Sequence, residues 1–245
     1  MIGTSRLLGA LSALVKRTKA DGVSVSAHAK TRRVFRFAYD AIHQALVQES
    51  ISVAVQVIRQ GRVGVARTET LTRPGLRRCA EAAMDIAAHA PTREALPALS
   101  ARHRIMSTHD WVAATSNTSA AQAVGLLKRL FQICQGAGAL LAGSFVTGED
   151  EFAVANSAGT ACYAASTVAG TKLVTMFGAL SGYASGVHRD VRRLDLDTLL
   201  KRSLIQSLHS QEPSAVPLGA HEVILEPEAV AELVTWLGDI AFGAK

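Results

Sequence analysis

The strictest constraint on this chain is a period-two pattern between residues 51 and 65. Ile51, Val53, Val55 and Val57 recur at every second position, Gln60-Gly61 supplies a turn, and Val63 and Val65 resume the alternation. Successive strand side chains point to opposite faces, so this stretch specifies an antiparallel β-hairpin with one apolar face. A lone hairpin cannot bury that face, and a second layer is required. The residues that follow offer one. Thr72 is a helix cap, Pro74 sits in the first turn where its missing N–H costs little, and Leu76, Cys79, Ala80, Ala83, Met84 and Ala87 recur at helical spacing up to His89. Upstream, Leu7, Leu8, Leu11, Leu14 and Val15 share one face of a first helix. Asp21-Gly22 then turns the chain into a strand over Val23–Ala29, and Arg32–Tyr39 reads as another. The pattern over His43–Gln48 fits strand or helix equally.

Residues 1–92 thus form a helix–antiparallel sheet–helix domain, and residues 93–110, with Pro91 and Pro97 nearby and little periodicity, form a connection. Residues 111–245 read as a second, strand-rich α+β region. Ser119 and Gln122 make a capping box for a helix with the stripe Ala120, Ala123, Val124, Leu127, Leu130, Phe131 and Cys134, ending at Gly136. The stretch from Gly138 to His188 is a strand meander, with an acidic turn expected at Gly148-Glu149-Asp150 and another near Leu180-Ser181-Gly182. Asp195 caps a helix to about His209, and Pro213 and Pro217 interrupt the chain. His221–Leu225 reads as one more strand. Pro227 opens a last helix with Val230, Leu233, Val234, Leu237, Ile240 and Ala241 on one face, expected to dock on the preceding sheet. No internal repeat is evident. The fold class is α+β.

Aromatic residues are only 5% of the chain, so the core must be built from Ala, Val, Leu and Ile. The formal net charge of +6 invites a nucleic-acid reading. The basic groups are dispersed, however, in clusters such as Lys30-Thr31-Arg32-Arg33 and Arg189 with Arg192-Arg193, without a stacking ladder of aromatics. Solvated surface charge explains them better. Cys79, Cys134 and Cys162 are odd in number and form no C-x-x-C pair, which points to reduced thiols in a cytoplasmic protein. Lys16, Arg17 and Lys19 directly follow the first apolar stretch, which favours an amphipathic first helix over a secretory signal, and no run is long enough to span a membrane.

No catalytic constellation emerges. His221-Glu222 imitates half of a zinc-protease motif, but a second His one helical turn later is needed, and Leu225 stands there. Glu149, Asp150 and Glu151 lack the spacing of a calcium loop and are expected in a solvated turn. Gly136, Gly138 and Gly143 follow a helix and lead into a strand, the reverse of a phosphate loop. There is no Gly-x-Ser-x-Gly elbow, and no cysteine has an activating neighbour. No cofactor is implied.

Three stretches in order carry a resemblance. They are Val53-Ala-Val-Gln-Val-Ile-Arg-Gln-Gly61-Arg-Val-Gly64-Val-Ala-Arg-Thr68, then Phe152-Ala-Val-Ala-Asn156-Ser157-Ala-Gly159 with Tyr163 and Thr167, and lastly Val223-Ile-Leu-Glu-Pro227-Glu-Ala-Val-Ala-Glu-Leu233. Together they resemble the TldD/TldE family, whose TldE-type members are also called PmbA or modulator of DNA gyrase. The resemblance implies a cytoplasmic protease assembled from both chain types, acting on unfolded or extended peptides. Its TldD-type chain carries a His-Glu-x-x-x-His zinc motif on the helix after the third stretch. Here Thr235 stands at the first His position, Trp236 at the Glu and Ile240 at the second His. None of the three can ligate zinc or serve as the base. The resemblance therefore implies a TldE/PmbA-like, non-catalytic subunit with a TldD-like partner. Family chains run to nearly twice this length, so their strand-rich C-terminal domain is expected to be absent from these residues. The competing expectation is a stand-alone peptide- or protein-interaction module, with nucleic-acid binding a distant third.

Overall fold

The computed structural model describes residues 1–102, 110–209 and 215–242. Its elements are α1 (Thr4–Arg17), β1 (Gly22–Ala38), β2 (Ala41–Arg59), β3 (Arg62–Thr68), α2 (Arg73–His89), a short α3 (Ala113–Ser116), α4 (Ala120–Gly136), β4 (Leu140–Asn156), β5 (Ala161–Phe177), β6 (Leu180–His188), α5 (Leu196–His209) and α6 (Pro227–Ala241). The α+β class holds. All six strands belong to one antiparallel sheet, in the order β3-β2-β1-β4-β5-β6. Strands on either side of the 93–110 connection are therefore neighbours, and residues 103–109 of that connection lie outside the described residues.

The first surprise is strand length. Val23–Ala29 and Arg32–Tyr39 are one strand of 17 residues, about 55 Å long at the usual rise. β1 pairs with β2 from Gly22↔Ile58 to Ala38↔Ala41, so the ambiguous His43–Gln48 stretch is strand too. The polar run Lys30–Arg33 suggests a break only if each strand must be apolar throughout. Tyr39 and Asp40 turn the hairpin with positive φ of 51° and 58°, as Gln60 and Gly61 do for the expected β2–β3 hairpin. Both Thr72 and the Ser119–Gln122 capping box hold their helices as anticipated.

The helices α1, α2, α4 and α5 line one face of the sheet over two separate apolar cores. One core joins Leu7, Leu11 and Ala83 to Val23, Val25, Val55 and Val57. The other joins Leu127, Leu130 and Leu200 to Phe35, Phe37, Phe145 and Leu173. The residues that face the helices have odd numbers along β1 and β4, and register pairs such as Val25↔Ala155 and Phe35↔Phe145 keep both cores on the same face.

Contrary to the sequence reading, the chain contains a structural repeat. Helix, three antiparallel strands and helix (α1-β1-β2-β3-α2) recur as α4-β4-β5-β6-α5, and the sheet order is palindromic about the β1–β4 pair. The match extends to single atoms. A Cβ on Gly64 would stand 2.0 Å from Ala83 O and 2.5 Å from Ala87 N; one on Gly182 would stand 1.9 Å from Ser203 O and 2.6 Å from Ser207 N. Each helix crosses its edge strand where only glycine permits contact. The repeat is hidden in sequence because side chains of similar volume differ in polarity. Buried Val57, Ala83 and Ala87 of the first unit correspond to Thr175, Ser203 and Ser207 of the second. There Ser203 Oγ donates to Gly182 O at 2.9 Å and lies 2.9 Å from Thr175 Oγ1, so the added hydroxyls are satisfied.

Three local expectations fail. The turn placed near Leu180-Ser181-Gly182 is at Gly178–Ala179, with β6 already begun at Leu180. His221–Leu225 is not a strand. α6 does not dock on the sheet: none of its residues is buried, because α5 already covers the helix-side face of β5 and β6. Its start is tied to α5 through Arg202, which binds Glu228 at 2.7 Å and Glu226.

Candidate functional site

Between the two cores the helix-side face becomes polar. Glu149 and Glu151 were expected in a solvated acidic turn; they lie in the middle of β4, only 4% and 3% exposed. The alternation explains the error. Leu141, Phe145, Ala153 and Ala155 point to the same face, and the two glutamates continue that series through the Gly148–Glu151 stretch. Asp150 faces the other way, where Arg32 donates to it at 2.6 Å and His28 lies 3.2 Å from it.

Each glutamate anchors a helix-side segment. Glu151 accepts the N–H groups of Ile2 and Gly3 at 2.6 and 2.7 Å, and the Tyr163 hydroxyl at 2.8 Å. α1 has no side-chain cap and no acidic residue in its first turn, so a carboxylate from the sheet meets its free N–H groups and positive dipole end. Glu149 accepts the Ser116 hydroxyl of α3 at 2.7 Å, with the Met1 ammonium 3.6 Å and Arg33 4.0 Å away. Burial first, then the hydrogen bond to Glu151, pushes the Tyr163 phenol far above its usual range. Buried Arg33 Nη1 and Thr147 Oγ1 have no hydrogen-bond partner among the described residues, and Arg33 is the register partner of Thr147. A bridging water is the ordinary way to satisfy such a pair. Both carboxylates are thus committed to holding α1 and α3 on the sheet.

Two of the three thiols, Cys79 and Cys134, are buried. Burial raises Cys79, and raises Cys134 to about 11, which leaves the thiolate scarce at neutral pH. Three arginines on this side of the chain are paired with acids: Arg129 with Asp197, Arg189 with Asp110, and Arg192 with Asp190, which holds the Asp190 carboxyl down at about 2.

On α6, Thr235 donates its hydroxyl to Ala231 O at 2.8 Å, while Trp236 and Ile240 are 60% and 77% exposed. A hydroxyl, an indole and an alkyl group offer no zinc donor set, and among the described residues no three His, Cys, Asp or Glu side chains are grouped to hold a metal. His221 contacts Pro217 O at 2.7 Å rather than Glu222. No described helix is long and apolar enough to cross a membrane. A groove of about 810 Å³ lies between α1 and α2, floored by Leu14, Leu76 and Met84 and rimmed by Arg17, Arg73 and Arg77.

These features define a scaffold: one long-stranded sheet carrying helices on a single face, built from a repeated unit, with its inward acids used structurally. Residues 23–87 match the family model described as PmbA/TldA metallopeptidase domain 1, a span that contains the first of the three stretches. A search of curated proteins finds no sequence match. Among solved structures, TldE from Thermococcus kodakarensis has the same fold with a TM-score of 0.73 at 15% identity, over 81% of this chain and 47% of that one. A Thermotoga maritima protein described as a modulator of a DNA gyrase gives 0.71 at 15% identity, over 85% and 49% of the two chains. A Bacteroides thetaiotaomicron protein described as a modulator of DNA gyrase gives 0.73 at 16% identity, over 88% and 52%. The chain therefore spans about half the length of these structures.

Proposed function

We propose that this chain is a TldE/PmbA-like, non-catalytic component of a cytoplasmic TldD/TldE-type zinc protease that processes unfolded or extended peptides. The observation that carries this reading is α6. By the sequence resemblance it corresponds to the family's zinc-motif helix, with Thr235, Trp236 and Ile240 at the metal and base positions, and it exposes Leu233, Val234 and Leu237. Such an apolar face on a helix supports a partner surface. The zinc and its chemistry belong to the TldD-like chain in this reading, and the present chain contributes assembly and substrate guidance.

Co-expression with the TldD-like chain of the same genome tests it. The two should co-elute as one species whose peptide hydrolysis disappears on chelation, while this chain alone with added zinc stays inactive. Separate elution at micromolar concentrations, or stoichiometric zinc and hydrolysis in the isolated chain, would remove the reading.

A further inference from the structure

β2 is 19 residues long, but β3 pairs only with its last part, Val53–Arg59. Residues 41–52 therefore have a neighbour on one side only among the described residues, which leaves about 40 Å of free strand edge. On such an edge every second residue directs its N–H and C=O outward. Sheet edges are usually guarded by Lys, Pro, bulges or short strands. This one, Ala41-Ile-His-Gln-Ala-Leu-Val-Gln-Glu-Ser-Ile-Ser52, has no Lys, Arg or Pro; its one irregularity is a register shift at His43 near the hairpin end, and Val47 is 65% exposed in the regular part.

The structural repeat supplies an internal comparison. β5 is the counterpart of β2 and likewise outruns its edge strand, since β6 pairs only with Ala169–Phe177. There the chain itself fills the notch: Thr167 N–H donates to Asp110 O at 3.0 Å, and Val112 N–H to the Thr167 hydroxyl at 3.1 Å. The equivalent position in β2 falls at Glu49, four residues past the last β2–β3 pair; Thr31 of β1 pairs with it on one side, and no described residue does on the other. A cavity of about 650 Å³ opens at that corner, lined by Glu49, Glu69 and Glu151, with Lys30 and the Met1 amino terminus, which pairs with Glu149, as the cationic groups beside them. Glu151 is already engaged by α1, whereas Glu49 and Glu69 form no ion pair among the described residues.

We infer that the free edge of β2 is a docking strand for an extended peptide carrying a basic residue, which Glu49 and Glu69 receive. The peptide adds to the sheet by main-chain hydrogen bonds, its alternate side chains lie beside Val47 and Ala45, and an Arg or Lys reaches the cavity at the end of β3. This rests on the peptide-handling part of the function proposed above but needs no protease partner, so the two can fail separately.

The test uses the purified 245-residue chain alone and a fluorescent ten-residue peptide of alternating Thr and Val with one central Arg. Anisotropy should show saturable binding. N-methylation at odd positions and at even positions should differ: one set weakens binding by at least about tenfold through lost backbone hydrogen bonds, and the other leaves it within about threefold. The double variant Glu49→Gln/Glu69→Gln should weaken the Arg peptide about three- to tenfold and leave its norleucine counterpart unchanged. Amide exchange should slow in residues 41–52 when peptide is added. Absence of saturable binding, equal effects of the two N-methyl sets, or an unchanged Arg peptide with the double variant would each overturn the inference. So would concentration-dependent dimers in which residues 41–52 are already protected, since a second copy would then own the edge.

Discussion

At the scale of single residues, the most consequential side chain is Glu151. It is 3% exposed and takes three donors, two from the backbone before α1 and one from Tyr163. Removing it leaves those donors without a partner in a place water reaches poorly, and a hydrogen bond to a charged group contributes more than a neutral one. Glu151→Ala should therefore cost about 2–4 kcal/mol of folding stability in denaturant titration, and Tyr163→Phe about 1–2 kcal/mol. The phenol also imposes a pH signature. The folded state holds its proton to higher pH than the unfolded chain, so above about pH 10 only the unfolded state ionises and stability falls as pH rises. That contribution is complete below about pH 10, and Tyr163→Phe should flatten this part of the alkaline limb of the stability curve. An unchanged alkaline limb in the variant would show that Tyr163 is not held by Glu151. Sequence made neither role visible directly. Three adjacent acids after a glycine have the composition of a solvated turn; the alternation of Phe145, Ala153 and Ala155 around them carries the information that they are strand.

At the scale of elements, regular periodicity was legible and context was not. The Val53–Val65 hairpin, the Thr72 and Ser119 caps and the first helix follow from spacing, because local chemistry decides them. Strand continuity through Lys30–Arg33 depends on neighbours at both sides of β1, which no local pattern reveals. α6 is the converse case. Its stripe is as apolar as that of a core helix, yet Leu233 and Leu237 are 59% and 51% exposed. A helix that buries nothing contributes little to the fold, so its apolar face is free for another molecule. Leu233→Asp with Leu237→Asp should leave the denaturation midpoint nearly unchanged, within about 0.5 kcal/mol, and abolish co-elution with a TldD-like partner. A large loss of stability would mean that the stripe docks on this chain after all.

At the scale of the whole molecule, the two repeated units have separate apolar cores but a shared sheet. β1 and β4 pair without interruption from Ser24↔Asn156 to Phe37↔Gly143, and Glu149 and Glu151 of the second unit anchor segments of both. Neither unit can lose its boundary strand, β1 or β4, without exposing the other's edge and the buried acids of β4. Unfolding should therefore be a single cooperative event, despite the two cores. The glycine seats allow this to be tested from one end to the other. Gly64→Ala forces a methyl group into the α2 backbone, in the first unit, and should cost more than about 2 kcal/mol because backbone cannot step aside cheaply. Trp111 reports on the second unit, since the residues on either side of it bind Thr167 of β5. With exposed Trp236 replaced by Phe to silence α6, the Trp111 fluorescence midpoint should shift by the same amount as the far-ultraviolet circular dichroism midpoint when Gly64→Ala is introduced. If Trp111 kept its original midpoint while half the ellipticity was lost earlier, the units would fold independently, and the shared sheet would be a seam rather than a core.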